Sequence, residues 1–179
     1  MQRYVESIRA ARAEKDREFK TSPYSPLTPE QQIGFQRLAY YEPDPALVFD
    51  LLPEVFAQKD PVRMMTSKNE IRSYIRWARV TFSINEQEAA LTLFAIPGHE
   101  TLFLPFTDAT TGAETYAAGR YLDLERQPDD AIHLDFNVAY NPFCAYNDEW
   151  SCPLVPSENR LMIAIRAGEK SPDWMLRGG

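Results

Sequence analysis

Val5, Ile8 and Ala11 follow Met1 and Tyr4 at steps of three and four, so residues 2–20 are predicted to form an amphipathic helix. Farther along it, Glu14/Arg17 and Asp16/Lys20 are placed to pair on an exposed face. The helix is expected to end before Ser22-Pro23, because a residue preceding proline avoids helical geometry. "LTPEQQ" then carries a second start signal, with Thr28 as N-cap, Pro29 in the first turn and Gln31 placed for a capping box. Gly34 keeps this second element short.

From residue 45 the apolar repeat shortens to about two, the strand period. "ALVFDLL" and "VRMMTS" are candidate strands bounded by prolines. Within "IRSYIRWARVTFSI", Ile71, Ile75 and Trp77 share one parity, while Ala78, Val80, Phe82 and Ile84 share the other. A change of face inside one strand predicts a β-bulge near Trp77 and Ala78. "NEQE" and "PGHE" are hairpin connections to "AALTLFAI" and "TLFLPF". "ETYAAGRYLDL", "AIHLDF" and "RLMIAIRAG" complete a set of about eight antiparallel strands. The predicted fold is mainly β, a barrel or a two-sheet sandwich, with an N-terminal helix. Helix 1–22, a single β-rich domain over 23–170 and a C-terminal tail at 171–179 make up the expected organisation.

Fourteen prolines against seven glycines agree with many stiff connections. The net charge of −7 opposes binding to nucleic acid, and no basic stripe interleaved with aromatics offsets it. The N-terminus is rich in both charges and has no apolar targeting core, and no run is long enough to cross a bilayer. These features predict a cytoplasmic protein with no membrane partner, whose two cysteines are kept as thiols. Oligomeric state and cofactors are not legible.

One long connection stands out: "NVAYNPFCAYNDEWSCPLVPSENR", residues 137–160, which holds both cysteines, four asparagines and three prolines. Long loops in compact domains tend to carry function, and Tyr140, Phe143, Tyr146 and Trp150 supply apolar area that opposes disorder. Asparagine and tyrosine offer uncharged donors and acceptors, and proline limits the ordering cost of binding. The loop and its neighbours therefore predict a pocket for a small polar molecule, with Arg120, Asp135, Asn137, Tyr140, Asn141, Cys144, Cys152, Asn159 and Glu169 as candidate binding residues. Residues 122–150 contain seven acids and one arginine, which favours a cationic or neutral ligand there. The bland reading of the same side chains is that they satisfy the loop's own backbone.

Other uses of the loop are open on sequence alone. A thiol enzyme would take Cys144 or Cys152 as nucleophile, His133 as base and Asp135 to orient it; a carboxylate enzyme would use Asp135, Glu149 or Glu169. A metal site from His133, Asp135, Cys144 and Cys152 lacks tight ligand spacing, and no metal is expected. A reversible cysteine pair or a structural, protein-interaction module completes the range. Arg120 and Arg166 are placed to pair with Asp135 or Glu169, or else to present a fork to a carboxylate ligand, the internal pair being the preferred reading, and "DATTGAE" reads as a turn despite its calcium-like oxygen alternation.

"FTDATTGAETYAAGRYLDLE", "LDFNVAYNPFCAY" and "CPLVPSENRLMIAIRAGEK" resemble the domain of unknown function 1684 family of bacteria and archaea. The resemblance is close over residues 105–170 and looser over 24–104. Its pattern takes in Tyr116, Gly119, Arg120, Asp135, Asn137, Tyr140, Asn141, Pro142, Cys144, Cys152, Pro153, Asn159, Gly168 and Glu169. Val138 departs from an arginine common in that pattern and Val155 from a proline, while His133 lies outside it. The family implies no activity or cofactor; it implies that the loop belongs to what its members share.

Overall fold

A computed structural model describes residues 1–127 and 131–172. Most of the predicted tail, residues 173–179, lies outside the described residues. Two helices open the chain, α1 (Gln2–Thr21) and α2 (Pro29–Gly34). Eight strands follow: β1 (Val48–Leu51), β2 (Glu54–Val55), β3 (Pro61–Met65), β4 (Ile71–Ile84), β5 (Gln87–Ala95), β6 (Leu102–Phe106), β7 (Arg120–Leu124) and β8 (Ile132–Asp135). β2, β4, β5, β6 and β7 lie side by side in an antiparallel sheet that β3 joins by pairing with β4, and β1 pairs with β8 in a second sheet. Among the described residues the large sheet does not close on itself, so the architecture is a sandwich rather than a barrel.

The capping box forms as expected: Thr28 accepts from Gln31 N–H while the Gln31 side chain accepts from Thr28 N–H. A bulge interrupts the β4–β5 register between Arg76 and Ala78, with Trp77 as the extra residue. It lets Ala78, Val80 and Phe82 turn inward after the parity change. Between β4 and β5, Asn85 and Glu86 both adopt positive φ, 50° and 64°, the backbone of a two-residue hairpin turn.

The main core lies between the sheets. Val80, Phe82, Leu91, Leu93, Leu102, Leu104, Phe106, Leu122 and Leu124 of the large sheet meet Ile132, Leu134 and Phe136 at the small one. The large sheet is buried on its other face too, where Met64, Tyr74, Phe94, Phe103 and Tyr121 pack with Tyr140, Cys144 and Cys152. This explains the unbroken burial of β6. The long loop is therefore the cover of that face, stitched on by Tyr121–Tyr140 and Thr66–Pro153 bridges.

"RLMIAIRAG" is not a strand, which corrects the expectation for that segment. Leu161, Ile165 and Ala167 do point into the main core. The backbone around them bonds irregularly instead, Leu161 N–H to Thr107 O at 2.8 Å, Ala109 N–H to Ile163 O at 3.0 Å and Ile165 N–H to Asp108 Oδ2 at 2.5 Å. Alternating burial was real, but it required no ladder.

Candidate functional site

Most of the residues singled out in the sequence are tied into the protein's own backbone. Asn159 is fully buried; its Oδ1 accepts Thr92 N–H at 2.8 Å, and its Nδ2 donates to Thr92 O at 2.9 Å and Pro105 O at 2.8 Å. Asp135 caps the 3-10 turn Phe136–Val138 through Asn137 N–H and accepts the Tyr4 hydroxyl at 2.7 Å. Asn137 links that turn to Asp44, accepting its N–H at 2.7 Å and donating to its carbonyl at 2.8 Å. Tyr140 donates to Asp123 at 2.6 Å.

Contrary to the expectation from sequence, Arg120 pairs with neither Asp135 nor the Glu169 carboxylate. Its guanidinium faces Asp108 and donates to the carbonyls of Ile165, Ala167 and Glu169. Arg166 instead forks onto Glu114, at 2.7–3.1 Å. His133 lies exposed with Nδ1 2.7 Å from Asp50, while Asp135 is committed to Tyr4 and Asn137, so the structure does not assemble a Cys–His–Asp triad.

Besides the Asp135–Asn137 pair, two further groupings bring predicted residues together. Cys144 and Cys152 are neighbours, Cys144 N–H donating to Cys152 Sγ at 3.4 Å. Glu169 and Asn141 meet beneath α1. Glu169, 1% exposed, accepts Asn141 N–H at 2.7 Å and the Tyr146 hydroxyl at 2.6 Å on one oxygen and Lys15 Nζ at 2.5 Å on the other. Burial, with Glu169 adding to it, pushes the Tyr146 pKa up and holds that hydroxyl as a donor. Asn141 Nδ2 donates to Lys170 O at 2.8 Å, but its buried Oδ1 has no hydrogen-bond partner among the described residues.

Around this cluster runs a trough of adjoining cavities. The largest, about 590 Å3, lies between Leu27, Gln31, Phe35, Leu38, Tyr146 and Lys170. A second, about 400 Å3, shares Arg37, Leu38, Ala39 and Lys170 with it and adds Arg9, Arg12, Asp16, Tyr40 and Glu42. A third, about 100 Å3, lies under α1 against Asn137, Val138, Ala139 and Glu169. Of the nine predicted binding residues, Asn137 and Glu169 line these cavities. Desolvation lowers the Arg12 pKa, opposed by the neighbouring Tyr40 and Glu42. Arg12 Nε and the Tyr40 hydroxyl are buried without hydrogen-bond partners among the described residues.

Arg12, Lys15, Tyr40 and Lys170 are not picked out from sequence, and Tyr146 is picked out only for its apolar area, not as a site residue. A signal was present on α1: Tyr4, Ile8, Arg12, Lys15 and Phe19 share one face, of which Ile8 and Phe19 are buried. Charges at those positions read as solvent-facing unless their partners are known.

Fold and site together define a two-sheet antiparallel β protein with a buried polar lattice beneath its N-terminal helix. The chain belongs to the family described as "Protein of unknown function (DUF1684)", matched over residues 33–170. It is similar to a solution NMR structure of an uncharacterized protein of Haloarcula marismortui, with 39% identity, a TM-score of 0.71, and 94% of this chain and 95% of that one covered. A search of curated proteins returned no match. No described helix is long and apolar enough to cross a membrane.

Proposed function

We propose that the protein binds a small polar molecule bearing an acidic group, seated in the trough where α1, the 27–42 segment and the Tyr146 end of the long loop converge. The observation that carries this reading is the cavity of about 590 Å3 beside Tyr146, a size typical of small-molecule pockets. Leu27, Phe35 and Leu38 give it an apolar wall, with Arg37 and Lys170 at its edge. In the adjoining cavity Arg9, Arg12, Arg37 and Lys170 outnumber Asp16 and Glu42, although the chain as a whole carries −7. Such local charge suits one carboxylate or phosphate group, while the overall field disfavours a polyanion. Arg12 and Tyr40, whose Nε and hydroxyl are buried without hydrogen-bond partners among the described residues, belong to the same wall. Carboxylate catalysis at Glu169 is less well supported, since both of its oxygens are already bonded.

Native mass spectrometry of protein purified without additives, followed by calorimetric titration with small mono- and dicarboxylates and inorganic phosphate, tests the reading. The expected result is an adduct that dissociates on denaturation, or saturable binding of one of these probes. Arg37→Ala combined with Lys170→Ala is expected to weaken that binding about tenfold or more, with little change in melting temperature. A bare native mass together with no binding heat from any probe would overturn it.

A further inference from the structure

Both cysteines meet outside the trough, in a setting unlike that of an inert core thiol. Cys144 sits half-buried in the 3-10 turn Phe143–Ala145, and Cys152 is buried behind it in the cluster on the second face of the large sheet. The Cys144 amide donates to Cys152 Sγ at 3.4 Å. The Tyr116 hydroxyl reaches Cys144 Sγ at 3.8 Å, and the Cys152 amide is held by Ser67 Oγ at 3.1 Å.

Donors converging on one sulfur favour its anion. The Cys152 bond, the largest influence, overcomes burial, and with Tyr116 and Ser67 it brings the Cys144 pKa down to about 6. Cys152, as the donor of that bond, is pushed up. The pair shares one proton, and the Tyr116 hydroxyl beside Cys144 favours the charge there. Its half-buried position leaves the anion open to solvent, with the second thiol already in contact from behind.

We propose that Cys144 and Cys152 form a hydroperoxide-reducing dithiol, with Cys144 as the attacking sulfur and Cys152 as the resolving one. In the first step Cys144 thiolate bonds to one peroxide oxygen and the O–O bond breaks. Cys144 becomes a sulfenic acid, and the departing alkoxide or hydroxide takes a proton from solvent. Next, Cys152 sulfur attacks Cys144 sulfur. The S–O bond breaks, and hydroxide leaves with the Cys152 proton as water. Two thiols and one hydroperoxide thus give a disulfide, an alcohol and a water, the thiols losing two electrons to the peroxide. The disulfide ties the loop across residues 144–152 and is reopened by a small dithiol.

Intact-mass measurement on the reduced full-length protein treated with equimolar hydrogen peroxide is the test. The expected product is about 2 Da lighter and returns to the starting mass with dithiothreitol. Cys152→Ser is expected to stop at a sulfenic acid that dimedone traps at Cys144, and Cys144→Ser to give neither product. Iodoacetamide should modify Cys144 well before Cys152, with a pH midpoint near 6, and Tyr116→Phe should move that midpoint upward while circular dichroism stays unchanged. An unchanged mass after peroxide would overturn the proposal, as would equal labelling of both thiols with a midpoint near the ordinary thiol value of about 8.5. These readings on the wild-type chain and Tyr116→Phe decide the matter even if a cysteine variant does not fold.

Discussion

Asp108 and Arg120 face each other at 3.4 Å in the interior, with side chains 0% and 1% exposed. Asp108 also accepts the Thr110 and Thr111 hydroxyls and the Ile165 amide, while Arg120 holds three carbonyls of the 165–169 stretch. The pair thus replaces a β-ladder as the anchor of a segment that packs into the core without being a strand. Removing one partner of a buried pair leaves the other charge uncompensated. Arg120→Ala is expected to cost about 3–5 kcal/mol, read as a fall in the urea midpoint. Hydrogen exchange should show residues 160–169 losing protection first. A loss below about 1 kcal/mol would mean that apolar packing alone holds the segment.

A similar argument applies to Asn159, whose amide completes the hydrogen bonding of Thr92 and of the Pro105 carbonyl. Asn159→Ala leaves three buried backbone groups unsatisfied, so about 2–4 kcal/mol of stability should go. Because Asn159 is buried away from the trough, its loss is expected to leave ligand affinity unchanged at temperatures where the variant is folded. Loss of binding without loss of stability would instead return Asn159 to the ligand site that its sequence context suggests.

Local chemistry was the legible part of this chain. Thr28 and Gln31 cap α2 from three residues apart, and the parity change at Trp77 and Ala78 lies within one strand, so neighbours in sequence contain the whole argument. Partner choice was not legible. Arg120 had several acids available, and only the folding of the 108–115 turn against residues 165–169 brings Asp108 to it. Composition did locate the loop, but the same polar side chains serve equally to satisfy a backbone that covers a sheet face. The trough escaped notice because part of its lining comes from cations on a helix whose buried face is mixed rather than apolar.

At the β4–β5 turn, the left-handed backbone at Glu86, φ 64°, is carried by a residue with a Cβ. Glycine adopts that conformation without the steric cost of about 1 kcal/mol, and Asn-Gly is a favoured pair for such a hairpin turn. Glu86→Gly is therefore expected to raise stability by up to about 1 kcal/mol. Equilibrium unfolding in urea would show this as a higher midpoint at constant slope. A destabilised variant would imply that the Glu86 side chain makes a contribution larger than the backbone relief.

Asp16 gives a test with a pH sign. Its Oδ1 accepts Leu38 N–H at 2.8 Å, which fastens the 35–42 segment to α1 along one wall of the trough. Burial raises its pKa and the nearby Glu169 charge adds to the shift, against the lowering influence of the Leu38 N–H, Arg37 and Lys15. A folded pKa above the unfolded one means that ionising Asp16 weakens the fold. The favourable protonated contribution is complete below the unfolded value of about 3.9 and is lost as pH rises through the folded value. Asp16→Asn keeps the acceptor for Leu38 and removes the charge. At pH 7 it is expected to equal or exceed the wild type in stability by a few tenths of a kcal/mol, since solvent screens a group this exposed. Urea midpoints of the two proteins should converge as the pH is lowered toward 3. A variant clearly weaker than wild type at pH 7 would show that attraction to Arg37 and Lys15 outweighs desolvation, making the Asp16 charge part of what holds the trough together.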